Sequence, residues 1–194
     1  FVFKIIFFIF MIIMIIFFEY LNREEVLFMR INLQTDKGVL EEKYSKYAED
    51  KFRYNSMPNL SFPFEITDFP KNTKTFALTF IDHDAYSVVS FSFVHWLACN
   101  IFEASITENI SARNENITQG RNSFSSSFIG VEDINITNRY IGPTPPDKNH
   151  EYTLTVYALD KELDLEEGYM LNEFFREIKG HVLDMLEEIV VGRF

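Results

Sequence analysis

Three short runs decide what this chain can build. Thr75 to Asp82 (TFALTFID), Phe93 to Ile101 (FVHWLACNI) and Tyr152 to Leu159 (YTLTVYAL) are rich in β-branched and aromatic residues and are bounded by turn residues. Such runs predict buried strands, because rings and side chains branched at Cβ pack well on a pleated surface. Ile31 to Leu33, Leu60 to Ile66 and the segment after Asn100 are weaker strand material. Near the end the pattern changes. Tyr169, Met170, Phe174, Phe175 and Ile178 recur close to a 3.6-residue spacing, Gly180 can stop that helix, and Val182, Leu183, Leu186 and Ile189 predict another. A mostly β domain with helices at its C-terminus is expected, and 194 residues suit one such domain.

The opening segment does not fit that domain. Phe1 to Phe18 carry one charge, Lys4, followed by an unbroken apolar run from Ile5 to Phe18 with no polar face. The run is short for a bilayer, which usually takes about 20 residues, and Glu19 to Arg23 offer no small-residue cleavage site. The chain begins with Phe, and the segment is nearly all Phe, Ile, Met and Lys, residues with A/T-rich codons. Arg23-Glu24-Glu25-Val26 can be encoded by a purine-rich ribosome-binding sequence ahead of Met29. Residues 1–28 are therefore expected to be translated upstream sequence, with the domain spanning 29–194 and a cytoplasmic location. The alternative is a membrane anchor in residues 1–18.

Charge narrows the partners. With 18 Lys plus Arg against 29 Asp plus Glu, the net charge is -11, which disfavours nucleic acid and anionic lipid surfaces. Any anion must be held by a local pocket. The single Cys99 rules out an intrachain disulfide. No cofactor is expected. Two His and one Asp are the ligand set of a facial iron site, but Ala85 stands two residues after His83 where H-x-D would need an acid, so no metal is expected. No G-x-S-x-G occurs, and Cys99 lies in an apolar run beside no obvious base, so a nucleophilic hydrolase is disfavoured too. The triplets at Asn109, Asn116 and Asn135 look like glycosylation acceptors, but so Asn-rich a chain produces them by chance.

The polar groups with chemistry fall in three places. Asp82-His83-Asp84 follows one strand, His95-Trp96 lies in the next, and Gly142-Pro143-Thr144-Pro145-Pro146 leads to His150-Glu151-Tyr152 at the start of the third. Groups at strand ends and on an adjoining Pro-stiffened loop can converge on one cavity. Gly142 would let backbone N–H approach a ligand closely. Two imidazoles beside carboxylates could hold a phosphate, the His⁺ donating charge-assisted bonds and the carboxylates orienting them. Taken singly, His95 reads as a core histidine and Asp82 with Asp84 as a strand-ending turn; their joint occurrence with Gly142 to Tyr152 favours a pocket. His83 reads as a solvated loop residue and His181 as a helix-start residue.

Taken in order, these pieces resemble a known family. D-x-D-A (Asp82, Asp84, Ala85), V-H-W-x-x-x-N-I (Val94, His95, Trp96, Asn100, Ile101), Q-G-R-N (Gln119 to Asn122), Y-x-G-P-x-P-P-x-x-x-H-x-Y (Tyr140 to Tyr152), Y-A-L-D (Tyr157 to Asp160) and G-H-V-L (Gly180 to Leu183) look like the phosphatidylethanolamine-binding protein family. The likeness is to its bacterial and archaeal branch, often labelled Raf kinase inhibitor-like, and runs from about Met29 to Phe194. It implies a β-sandwich-like domain, a large antiparallel sheet packed on a smaller one, with C-terminal helices. It also implies a small anion-binding pocket lined by Asp82, Asp84, His95, Gly142, Pro143, His150 and Tyr152. The implied function is noncatalytic binding of a small phosphate-bearing or other anionic ligand, with a kinase or other protein as the regulated partner; a homodimer stays open. Two alternatives stand beside it: a metal-dependent enzyme of the 2-His-1-carboxylate type, and a protein inhibitor acting through the pocket rim.

The chain departs from the family pattern at His83 and Tyr86, which replace the Pro residues of D-P-D-A-P, and at Thr144, which replaces the Cys of G-P-C-P-P. An additional stretch, Ser125 to Asn138, separates the R-N motif from Tyr140. It is expected to be mobile or to cover a neighbouring surface, and to alter ligand preference rather than folding.

Overall fold

Each of the three strong runs is a long strand, and the three lie side by side. In chain order the strands are β1 (Arg30–Leu33), β2 (Arg53–Tyr54), β3 (Met57–Pro58), β4 (Phe64–Thr67), β5 (Thr75–Asp82), β6 (Phe93–Ile101), β7 (Ser105–Ile106), β8 (Thr118–Gln119), β9 (His150–Leu159) and β10 (Val182–Gly192). Among residues 28–194 four short α-helices lie between them: α1 (Tyr86–Val89), α2 (Ile110–Arg113), α3 (Ile134–Thr137) and α4 (Leu171–Glu177). The computed structural model describes Met11, Met14 and residues 28–194. The reading of the opening segment as upstream sequence or anchor lies outside the described residues. Among the described residues no helix is long and apolar enough to cross a membrane.

The larger sheet has five strands in the order β10-β9-β5-β6-β8, the smaller has three in the order β1-β4-β7, and their strand pairs are antiparallel. The main core fills the space between them. Phe62, fully buried, has ring contacts with Tyr44, Phe64, Phe80, Trp96 and Tyr140 at 5.2 to 6.2 Å. On the outer face of the larger sheet a second cluster joins Leu97, Cys99, Tyr157 and Leu159 to Phe174 and Ile178 at α4. Strands β5, β6 and β9 are thus covered on both faces. That is why they read as continuous apolar runs instead of alternating ones.

Three expectations change. Val182 to Ile189 does not form a second helix; it is most of β10, paired with β9 from Val182 opposite Leu159 to Gly192 opposite His150. The helix-like spacing is local, whereas the ten residues of β9 offer a row of backbone donors and acceptors that only a strand can meet. The strand expected within Leu60 to Ile66 is shorter and displaced toward the C-terminus, at Phe64–Thr67. In the additional stretch, Ile136, Thr137 and Asn138 are buried, and Asn122 donates into it three times, its backbone N–H to the Thr137 carbonyl and its side-chain amide to the carbonyls of Ile136 and Arg139. The second half of the stretch is therefore part of the folded body, not a removable cover.

Candidate functional site

The site forms at one end of the larger sheet, where β5 finishes and its two neighbours, β6 and β9, begin. Asp82, the last residue of β5, lies opposite Tyr152 on one side and Phe93 on the other. Alternation on β9 then puts His150 on the same face as Tyr152, Leu154 and Val156, toward the main core. On β6 simple alternation would turn His95 to the opposite face from Trp96. The register prevents this: Ile81 pairs with Val94 and Phe80 with Trp96, so His95 is the extra residue of a β-bulge. A bulge re-aims a side chain, and His95 packs on Phe80 and Tyr152, with ring centroids 6.1 and 5.1 Å away.

The Asp82-His83-Asp84 turn clamps the start of β9. Asp82 Oδ1 accepts from the Ala85 N–H at 2.9 Å, holding the turn, and its Oδ2 accepts from His150 Nδ1 at 2.8 Å. Asp84 Oδ2 accepts from the backbone N–H of Glu151 at 3.0 Å. His150 Nε2 donates to Asp147 Oδ1 at 2.8 Å. Both partners of His150 are carboxylates, which only accept, so the ring carries two N–H groups and a positive charge. Burial opposes that charge, but the hydrogen bonds to Asp82 and Asp147 outweigh it and raise the pKa of His150. The same bond holds Asp147 below the usual carboxylate range.

His95 is the opposite case. Its Nδ1 donates to the Ile141 carbonyl at 2.7 Å, which fixes the neutral tautomer with a lone pair at Nε2. Burial pushes its pKa down to about 4, more than the Ile141 bond and the Asp82 charge restore. The expectation of two charged imidazoles is therefore corrected: near neutral pH one is charged, and both of its N–H groups are already bound to carboxylates. Tyr152 is fully buried, and its hydroxyl makes no hydrogen bond of good geometry among the described residues, with the Asp82 carboxylate and the Thr144 backbone N–H as its polar neighbours. Burial, then the nearby Asp82 charge, keeps that phenol protonated by raising its pKa.

These groups surround a cavity of about 250 Å³. Asp82, His95, Gly142, His150 and Tyr152 line it; Asp84 and Pro143 do not. Gly142 has a different role from the one its sequence context suggests. Its N–H donates to the Pro58 carbonyl at 2.8 Å, and a Cβ there would lie 2.2 Å from the Tyr44 carbonyl oxygen. The glycine permits two backbone segments to touch, and its amide is not free for a ligand. Pro143 packs behind Tyr152, where a Cβ on Gly192 would meet both side chains at 2.7 and 2.6 Å. His83 is exposed and bonds Ser92, and His181 pairs with Asp160 at 2.9 Å beside the start of β10.

Sequence patterns gave no hint of the apolar walls. Met57, Val88, Val89, Phe93, Phe124 and Ile141 complete the cavity, and α1 forms its rim with Val88 and Val89 half exposed. Asp147 was legible as an acid three residues before His150 on a Pro-stiffened loop, the one available signal for its pairing. Cys99 is buried on the far face of the sheet, its thiol pushed up to about 11 chiefly by burial. Among the described residues no group of three or more His, Cys, Asp or Glu side chains is placed to hold a metal ion.

A sequence profile described as phosphatidylethanolamine-binding protein matches residues 32–192. The uncharacterized protein YxkA of Bacillus subtilis is 49% identical over 147 residues, covering 74% of this chain and 88% of that protein. A UPF0098 protein of Methanothermobacter thermautotrophicus is 32% identical over 157 residues, 79% of this chain and 92% of its own length. Among solved structures, the phosphatidylethanolamine-binding protein homologue CT736 of Chlamydia trachomatis superposes with a TM-score of 0.69 at 23% identity, covering 86% of this chain and 98% of that one. YbcL of E. coli does so with a TM-score of 0.66 at 19% identity, covering 87% and 99%. Both share this fold.

Proposed function

Since this chain belongs to the phosphatidylethanolamine-binding protein family, we propose that its cavity binds, without chemical conversion, a small ligand that carries a phosphate or similar anionic head. One observation carries the proposal: the unpartnered hydroxyl of Tyr152, buried in a cavity wall beside the charged His150 ring and the available Nε2 of His95. A buried donor without a partner is costly, by about 1 to 3 kcal/mol, and a ligand oxygen relieves it. The phenol donates to an anion directly. His95 donates only with a proton at Nε2, which an acidic ligand brings with it. The apolar wall gives the ligand's other end a place out of water.

Catalysis does not suit the same groups. His150 has both nitrogens bound to carboxylates, so a facial metal site would have to strip it of Asp82 or Asp147 first. Cys99, the one thiol, sits on the opposite face of the sheet. Isothermal titration with inorganic phosphate and with phosphoethanolamine tests the proposal. Binding by the intact protein, weakened about 5- to 10-fold in Tyr152→Phe and unchanged in His83→Ala, is expected. No binding of either compound at any pH between about 4 and 8, the span over which His95 and a phosphate monoester titrate, refutes it.

A further inference from the structure

His150 is held by two carboxylates that are not alike. The Asp82 side chain is 5% exposed, is fixed by the Ala85 N–H as well, and belongs to the turn that closes β5. The Asp147 side chain is 47% exposed and reaches His150 from a loop outside the cavity lining, just past Pro146, which does line it. One carboxylate is built into the sheet end. The other is a half-exposed acceptor on Nε2 that a ligand oxygen could replace.

We propose that Asp147 is a built-in competitor for the anionic ligand, occupying the Nε2–H of His150 until the ligand displaces it. The inference rests on the anion-binding function proposed above and goes further, because it names the residue that sets which anions enter. Proline at 145 and 146 fixes the loop backbone, so release needs only rotation of the Asp147 side chain into the water it already half contacts. The exchange is of one acceptor for another at the same N–H, with the His150 charge retained throughout. A singly charged carboxylate-sized anion replaces Asp147 with no gain in charge at that position. A phosphate-bearing ligand reaches Nε2 of His150 and also the Tyr152 hydroxyl, which Asp147 leaves without a partner. The device therefore discriminates against simple carboxylates and in favour of anions with several oxygens.

Titration of the full chain with inorganic phosphate and with acetate decides it, using the intact protein, Asp147→Ala, Asp147→Asn, Glu151→Gln and Asp147→Ala combined with His150→Gln. The Asp147→Ala protein should bind phosphate roughly 10- to 100-fold more tightly than the intact one, the range of one charge-assisted hydrogen bond. Acetate should become a measurable ligand at the same time. Asp147→Asn should fall between, because its amide oxygen still accepts from His150 without a charge. Glu151→Gln, which removes one exposed acid nearby, should stay within about twofold, a screened surface charge, and the double variant should lose the gain. Equal phosphate binding by intact and Asp147→Ala proteins overturns the competitor role while leaving the site intact. A gain matched by Glu151→Gln, or surviving without His150, overturns it in favour of general charge repulsion. Absence of phosphate binding in every variant refutes the site itself, and this inference with it.

Discussion

Raising the pH above about 6 should weaken binding of a phosphate monoester about tenfold per unit, and the reason lies in His95. Its Nδ1 proton is committed to the Ile141 carbonyl, so Nε2 repels a ligand oxygen unless that nitrogen also gains a proton. Burial places the free ring's pKa at about 4 against an ordinary 6.5, so charging it in the empty site costs about 3 kcal/mol. A monoester has its second pKa near 6. Between about 4 and 6, then, the ring is neutral, the ligand holds one proton, and that proton is shared in the complex: affinity is flat. Above about 6 the ligand arrives without it and the complex must take one from solvent, so affinity falls roughly 100-fold by about pH 8, or about 2.7 kcal/mol. The unperturbed imidazoles read from sequence would instead give an optimum at or just below neutrality. Isothermal titration with phosphoethanolamine in two buffers of different ionisation enthalpy counts the protons directly, expected to rise from none near pH 5 to one near pH 8. An affinity maximum near pH 7, or no proton uptake at pH 8, refutes the reasoning.

Other outcomes follow from the same contacts. Ligand-free stability should also depend on His95: a folded-state pKa below the unfolded one gives stability that is present above about 6.5 and lost as pH falls toward about 4. Urea denaturation at pH 7 and pH 4.5 should show the intact protein losing about 2 to 3 kcal/mol more than His95→Asn, which keeps a donor for Ile141; equal losses would contradict it. Gly142→Ala should destabilise the fold by about 3 kcal/mol in thermal or urea melts, because its methyl would enter the Tyr44 carbonyl; an unchanged melt with altered ligand affinity would restore the ligand-facing role. Phenyl phosphate should bind about 1 to 2 kcal/mol more tightly than inorganic phosphate, through the wall of Val88, Val89, Phe93 and Phe124, and equal affinities would place the ligand away from that wall.

What was legible in the sequence follows the range of the forces involved. β5, β6 and β9 were readable because burial on both faces leaves an apolar run that no other local structure explains. α4 was readable because Phe174 and Ile178 recur at the helical period, and Gly180, at φ 84°, ends it. β10 was misread because its partner lies elsewhere in the chain: Val190 is buried, but Val182, Met185 and Ile189 are exposed, so its own pattern mimics a helix while the pairing with β9 decides. Asp82, His95, His150 and Tyr152, which line one cavity, were picked by residue type and motif order. The charge on each histidine was not. It depends on what each ring nitrogen touches, and Ile141 and Asp147 enter only once the loop before β9 is folded over the strand ends.

The bulge in β6 has an evolutionary corollary. Loss of one codon inside a strand ordinarily throws every later side chain onto the wrong face. Loss of the His95 codon would do the reverse, since Ile81 with Val94 and Phe80 with Trp96 are already paired around it. The ladder would become regular at that point, Trp96 would keep its place in the core, and the cavity would lose its titrating wall. The histidine is thus an insertion that the sheet accommodates but does not require. A chain that shed it by in-frame deletion would keep the scaffold, so nothing in the strand pairing calls for the histidine.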